Sequence, residues 1–289
     1  MNIENHRPIK YIIYFVVFII LLGFGYLIMI IVPSGLGIDW RLTYRPATIA
    51  FMHGQTPYNP DLAPEAPFFA APWGLIPLLP LALLSVEAGR AGVMLIGILA
   101  FAFTAYRLGA KPLSMAIFLL SPPVLHTILN ANIEWLPVLG FAFPPSIGLF
   151  FITIKPQTGF AVGIFWFFEA WRKGGLKQVI QDFAPITIAF LLSFILYGFW
   201  PLSMFGVMRY GVNINSSLWP MSIPIGLVLL TASIQSQKIK YAMSASPFLS
   251  PYVLFHAWSS AVIALIKDPR QLFSAVIGLW ILVAIRFFN

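Results

Sequence analysis

The chain has 289 residues, of which 60% are hydrophobic and only 9% charged, where a water-soluble domain carries about a quarter charged. That leaves too little polar surface to coat a globule in water and points to an integral membrane protein. The formal net charge of +8 comes from Lys and Arg dispersed in ones and twos at the ends of apolar runs, which is how topology signals are placed and not how a nucleic-acid surface is built. Cysteine is absent, so disulfides and thiolate metal sites are excluded.

The first apolar run, Tyr11 to Val32, holds 22 residues without a charge, and at about 1.5 Å per helical residue it crosses a hydrocarbon core of roughly 30 Å. It is too long for a signal-peptide core and lacks an A-x-A-like cleavage site, so it reads as an uncleaved anchor. Arg7 with Lys10, the cluster Arg172, Lys173 and Lys177, and Lys238 with Lys240 mark the cytoplasmic side. The N-terminus is therefore expected in the cytoplasm of a cell-membrane protein, with the long loop Pro33 to Pro67 on the external face.

Phe68 to Val86 carries Pro72, Pro77 and Pro80, each lacking a helical donor, and predicts a broken or re-entrant element. Ala91 to Tyr106 and Pro112 to Leu129 predict two spans, with Arg107 and Lys111 between them on the inside. Trp135 to Ile154, interrupted by Pro137, Pro144 and Pro145, is too short for two crossings and reads as a shallow hairpin that returns to the external side. Gln157 to Trp171 then descends, Ile180 to Trp200 ascends and Leu218 to Ser236 descends. Ser246-Pro247 and Ser250-Pro251 interrupt Tyr241 to Ile266, and Leu272 to Phe288 is the last span. The fold class is all-α: one transmembrane domain over residues 1–289, a polytopic bundle of eight to ten membrane elements with broken helices and no barrel-like alternation.

This topology brings Asp39, Asn130, Asn132, Glu134, Lys155, Gln157, Asn213 and Asn215 to the external face from five separate stretches of chain. Ionisable groups next to membrane segments are costly and mark candidate functional sites. Asp39 could serve as a general base toward a hydroxyl, or cap a helix or pair with Arg41 or Arg45. Lys155 presents an ammonium suited to a phosphate, or is a lysine snorkelling at the membrane interface. The amides and carboxylate of Asn130 to Glu134 suit sugar hydroxyls, or could cap helices. The four histidines show no metal-ligand spacing, so no metal is expected.

Taken in order, Asp39, the stretch Gly54-Gln55-Thr56-Pro57-Tyr58-Asn59-Pro60, the prolines Pro72 to Pro80, Asn130 to Glu134, Lys155-Pro156-Gln157, Asn215-Ser216-Ser217-Leu218 and Ser250-Pro251-Tyr252 form a series. The series resembles the GT-C glycosyltransferases that use polyprenol-phosphate sugars, particularly the family 87 mannosyltransferase-like proteins. The resemblance covers about residues 10 to 266. It implies a GT-C-like fold and an inverting transfer of mannose or a similar hexose, on the external face, from a polyprenyl-phosphate donor to an acceptor that the sequence does not name. Asp39 would be the catalytic base, Lys155, Gln157 and Arg209 would bind the donor phosphate, and Tyr58, Trp73, Asn130, Asn132, Glu134, Asn213 and Asn215 would contact sugar or acceptor. Membrane lipid is the other expected partner, and no cofactor is implied.

The family's Gly-Gln pair is absent, with Asn130-Ala131 or Ala131-Asn132 in its place, and Trp135 to Ile154 is short where the family has two full helices. These departures motivate a second reading, a non-catalytic scaffold subunit of a membrane protein complex. A third, a small-molecule or lipid transporter, is motivated by the broken helices.

Overall fold

A computed structural model describes residues 7–203 and 214–288. It is all-helical, and among the described residues the only strand-like pairing is an isolated bridge between Asn215 and Leu254. Among the described residues four helices, Ile13–Ile31, Val86–Arg107, Pro156–Tyr197 and Pro269–Arg286, are long and apolar enough to cross a membrane, and a bent pair could make a fifth.

Helix α1 (Arg7–Ile31) stops just before Pro33, and the carbonyls that follow its end are bound by a guanidinium from the next span. Arg90 donates to the carbonyls of Val32, Pro33 and Leu36 at 2.6–3.1 Å while pairing with Glu87 at 2.7 Å. A buried arginine is tolerated here because helix-end carbonyls carry partial negative charge and lack partners of their own.

The loop expected over Pro33 to Pro67 is in large part helix. A π-helical turn over Trp40–Tyr44 runs into α2 (Arg45–Met52), with the Arg45 amide donating to the Trp40 carbonyl. Trp40, Thr43, Tyr44, Ala47, Thr48 and Ala50 recur at helical spacing and are buried, a stripe that the polar residues between them mask in the sequence. Phe68 to Val86 is broken as its prolines require: a 3₁₀ stretch over Pro72–Leu78 and then the single turn α3 (Leu79–Ala82).

The long helix α4 (Val86–Arg107) starts on Ser85, whose hydroxyl accepts the Ala88 amide. The expected straight span Pro112 to Leu129 is instead α5 (Pro112–Leu119) and α6 (Pro122–Leu129), bent by 58°. Ser121-Pro122-Pro123 explains the bend, since proline removes donors and forces the residue before it into extended backbone, as Ser121 shows (φ −70°, ψ 144°). The hairpin α7 (Trp135–Gly140) and α8 (Pro145–Ile152) is too short to cross, in keeping with the shallow hairpin expected there.

Helix α9 (Pro156–Tyr197) is two arms joined at Gly174 and Gly175. Gly175 adopts φ +59°, ψ −147°, which L side chains avoid, and the chain reverses there so that Phe167 meets Phe183 edge to face at 6.1 Å. Helices α10 (Ile223–Ser236) and α11 (Ile239–Phe248) pack on one another and on α9. After Phe248 the chain crosses in extended form to a 3₁₀ turn over Phe255–Trp258, then α12 (Ser259–Ile263) and α13 (Pro269–Phe288).

Where the chain leaves α1 it lies against the end of α6: Gly37 donates to the Leu129 carbonyl at 2.8 Å and Asp39 to the Asn130 carbonyl at 3.1 Å. Trp40 then inserts, fully buried, with its indole donating to the Val86 carbonyl at 3.0 Å. Room for that ring exists because residue 89 is glycine; a Cβ there would stand 2.5 Å from the Trp40 ring and 2.7 Å from the Leu81 carbonyl. Gly89→Ala is therefore expected to destabilise the protein by about 1–3 kcal/mol through overpacking. Unfolding in detergent measures this, and an unchanged midpoint would show that Trp40 is not locked.

Candidate functional site

Four separated segments converge between the end of α6 and the start of α9. Asp39 precedes the π-helical turn, and Asn132 and Glu134 follow α6 in a turn made possible by Ala131 at φ +49°. Lys155 immediately precedes α9, Thr158 lies in its first turn, and His256 sits in the 3₁₀ turn after α11.

At the centre is an ion pair. Lys155 Nζ lies 3.1 Å from Glu134 Oε2, and the two residues are 6% and 0% exposed. The second Glu134 oxygen accepts the hydroxyl of Thr158, and His256 Nε2 stands 3.4 Å from Oε2 and 3.5 Å from Lys155 Nζ. Tyr44 covers the ammonium, its ring centroid 5.9 Å away, within cation–π range. Burying both charges costs several kcal/mol each, and the pair persists because every partner is nearby and oriented.

Asn132 carries this arrangement outward to Asp39. Its Oδ1 accepts from Lys155 Nζ at 2.6 Å and from the Glu134 amide at 3.0 Å. Both of those groups are donors only, so the amide can be oriented in one way alone. Asn132 Nδ2 therefore faces Asp39 and donates to Oδ2 at 2.6 Å. One oxygen of a half-buried carboxylate is fixed, and Oδ1 is left for another proton.

The electrostatics follow from burial and neighbours. Burial raises the Asp39 pKa above its ordinary value, against the opposing pull of the Asn132 hydrogen bond, Lys155 and His126. For Lys155 burial acts downward, but Tyr44, Glu134 and Asp39 outweigh it and hold the ammonium above the usual lysine range. Burial first, then Lys155 and His126, push His256 well below its ordinary value, so its ring is neutral. Burial pushes the Tyr44 phenol up to about 12.

The sequence-predicted residues divide into those that meet and those with other work. Asp39, Asn132, Glu134 and Lys155 form one network, while Gln157 lies in the first turn of α9, two residues from Lys155. Glu134 is not available to sugar hydroxyls, because it is fully buried and both oxygens are engaged. Asn130 bonds back to the His126 carbonyl at 2.8 Å, and Asp39 pairs with neither Arg41 nor Arg45 among the described residues. Asn215 holds the extended crossing in place, accepting from Ser217 and Val253 and donating to Pro251.

Tyr58 and Trp73 are differently occupied from the expected sugar platform. Tyr58 donates to the Ala70 carbonyl and stacks on Trp200 at 5.7 Å, and Trp73 donates to the Phe150 carbonyl and meets Phe190 edge on at 4.8 Å. They cement the segment between α2 and α3 to α9 and to the turn after it. Arg209 and Asn213 lie outside the described residues. Thr158 and His256 were missed; the signal for Thr158 was its position three residues after Lys155 on a helix, and nothing local marked His256.

Next to Lys155 an apolar groove of about 420 Å³ opens between α8 and the arms of α9, bounded by Thr153, Pro156, Phe160, Phe167, Phe183 and Phe190. No group of three or more His, Cys, Asp or Glu residues able to hold a metal occurs among the described residues. No protein-family model, curated protein or solved structure matches the chain.

Removing one member of the buried pair leaves the other uncompensated, at about 3–5 kcal/mol. Glu134→Gln and Lys155→Met should each lose about that much stability, and the double variant should lose clearly less than their sum. A double-mutant cycle of unfolding in detergent checks this, and strict additivity would dissolve the pair as a unit.

Proposed function

We propose that the protein is a membrane glycosyltransferase that moves a sugar, mannose or a similar hexose, from a polyprenyl-phosphate donor to an acceptor hydroxyl on the external face. The observation that supports this reading is the Asp39 carboxylate, held by one oxygen and open at the other, beside a buried cation at one end of a set of membrane-length helices. In this reading Asp39 Oδ1 takes the acceptor hydroxyl's proton as the oxygen attacks the anomeric carbon. The bond to the donor phosphate breaks on the opposite face, and the configuration inverts. A base whose pKa is raised by burial is better matched to a hydroxyl than an ordinary carboxylate is.

Lys155 has a revised role. Glu134 already neutralises it, so it acts on Asp39 through the Asn132 amide and on the leaving phosphate at longer range. Gln157 and Arg209 are the proposed direct phosphate contacts. The groove beside Lys155 suits the lipid part of the donor: the eleven-residue rise from Pro156 to Phe167 is about 16 Å at 1.5 Å per residue, roughly half a hydrocarbon core. A chain entering from one leaflet would fill it with its phosphate at the level of the site.

A second reading, a scaffold subunit that retains the architecture without transfer, is favoured by one feature. Lys155 and Glu134 satisfy each other completely, as a purely structural pair would.

Donor turnover with a labelled polyprenyl-phosphate sugar, in nanodiscs supplied with membrane extract as acceptor source, separates the two. Asp39→Asn should lower transfer by about 10²–10⁴-fold with unfolding unchanged, and wild-type rates in that variant remove Asp39 from the chemistry. Transfer in the wild type should fall as pH drops through the raised Asp39 pKa, because the protonated acid cannot accept a proton. Asn132→Ala removes a hydrogen bond that favours the carboxylate, so the acid limb should move to still higher pH. An acid limb unmoved by that change would sever Asn132 from the base.

A further inference from the structure

On the π-helical turn and α2, away from Asp39, two arginines lie four residues apart. Arg41 and Arg45 are half-buried, and none of the carboxylates among the described residues pairs with either. The Nε atoms of both are buried without a hydrogen-bond partner, and only Arg41 Nη2 is bonded, to the Gly35 carbonyl at 3.1 Å. Buried polar groups are nearly always satisfied, and an orphaned donor points to a missing acceptor. Here two orphaned donors, both on permanently charged forks, occur on neighbouring turns of one helix, whose side chains at this spacing are adjacent.

The residues around them say where that acceptor comes from. Leu42 and Met52 are exposed on the same element and Ile38 two residues before it, so apolar residues and a cationic pair run together, as on a helix lying at a bilayer surface. A guanidinium fork matches the oxygens of a phosphate better than any other anion at such a surface. Asp39, two residues before Arg41, projects to another side of the turn and is engaged with Asn132, so the pair is separate from the proposed reaction site.

We infer that Arg41 and Arg45 form a phosphate-binding clamp that takes the phosphate group of a lipid headgroup or a free phosphate. The inference does not rest on the glycosyltransferase reading and holds equally for a scaffold.

Native mass spectrometry of the full chain in detergent, with phosphatidic acid or diacylglycerol of the same acyl chains, isolates the phosphate as the only difference between probes. The wild type should retain phosphatidic acid and release diacylglycerol. Arg41→Gln and Arg45→Gln should each weaken retention about tenfold, as expected for loss of a hydrogen bond to a charged group, and the double variant should not distinguish the two lipids. Where a glutamine variant unfolds in lipid-free micelles, Arg41→Lys with Arg45→Lys replaces it, keeping charge but losing the fork, with several-fold weaker retention expected. Arg107→Gln, on the last turn of α4, removes one positive charge elsewhere and should change nothing. Equal retention of both lipids by the wild type, full retention by the folded double variant, or a loss in Arg107→Gln equal to that in Arg45→Gln would each overturn the clamp. Inorganic phosphate added as competitor separates the sources: displacement of phosphatidic acid assigns the clamp to the free anion, and resistance assigns it to the headgroup, with the phosphate site standing in both cases.

Discussion

The arrangement of this end of the protein depends on the ion pair between Lys155 and Glu134. In a low-dielectric setting an isolated charge is expelled or neutralised, so neither side chain would persist without the other. Their meeting fixes the start of α9 against the turn after α6, and Thr158 and His256 fasten the first turn of α9 and the crossing after α11 to the same carboxylate. Three segments are thereby set in register by one charge pair. The fourth, bearing Asp39, bonds through its backbone to the end of α6, and its carboxylate is reached by an Asn132 amide whose orientation the pair dictates.

This hierarchy assigns different tolerances to the residues. The pair and its partners sit at the bottom of the network, buried, where a change propagates into packing. Asp39 sits at its rim, half-buried and with one oxygen bonded to Asn132, where a change disturbs less packing. Such a division, a supported rim residue over a satisfied base, is the way a reactive group is held in place without its own bonding being exhausted. It also accounts for Lys155 being a poor direct phosphate ligand, since its donors point toward Asn132 and Glu134.

Much of the architecture was legible because a bilayer allows few solutions. Uninterrupted apolar length identified α1, α4, the two arms of α9 and α13, and proline placement identified the breaks at Pro72 to Pro80 and around Pro144. Helix α2 was hidden because its buried stripe is small and aromatic and is interleaved with arginines, so the segment reads as polar. The bend between α5 and α6 was hidden because apolar content alone does not register a proline pair as a turn. At the site, charge bias and end-of-span placement were enough to bring Asp39, Asn132, Glu134 and Lys155 to one face. That Glu134 serves Lys155 and not a ligand could not be read, because residues more than twenty positions apart meet only through tertiary packing. Tyr58 and Trp73 follow the same logic: an aromatic ring beside a membrane is equally a surface for a sugar or for another ring, and only Trp200 and Phe190 decide between them.

The short helical element from Trp40 to Met52 ties these features together, because it presents different surfaces to three environments. Trp40 is locked between α4 and Leu81, Tyr44 lies over the Lys155 ammonium, and Arg41 with Arg45 faces the exposed apolar edge. The opening π-helical turn makes this possible, since its wider spacing shifts the residues that follow relative to a regular α-helix and places Tyr44 against the pair. The element is fixed by the Trp40 indole and by the bonds of Asp39 to the Asn130 carbonyl and of Thr43 to the Ala66 carbonyl, and it carries a carboxylate before its leading end and two guanidiniums beside its exposed apolar residues. The Asn132 amide stands between Asp39 and the buried pair, so the position of that carboxylate is set jointly by the charge pair beneath it and by the bond of its own backbone to the Asn130 carbonyl.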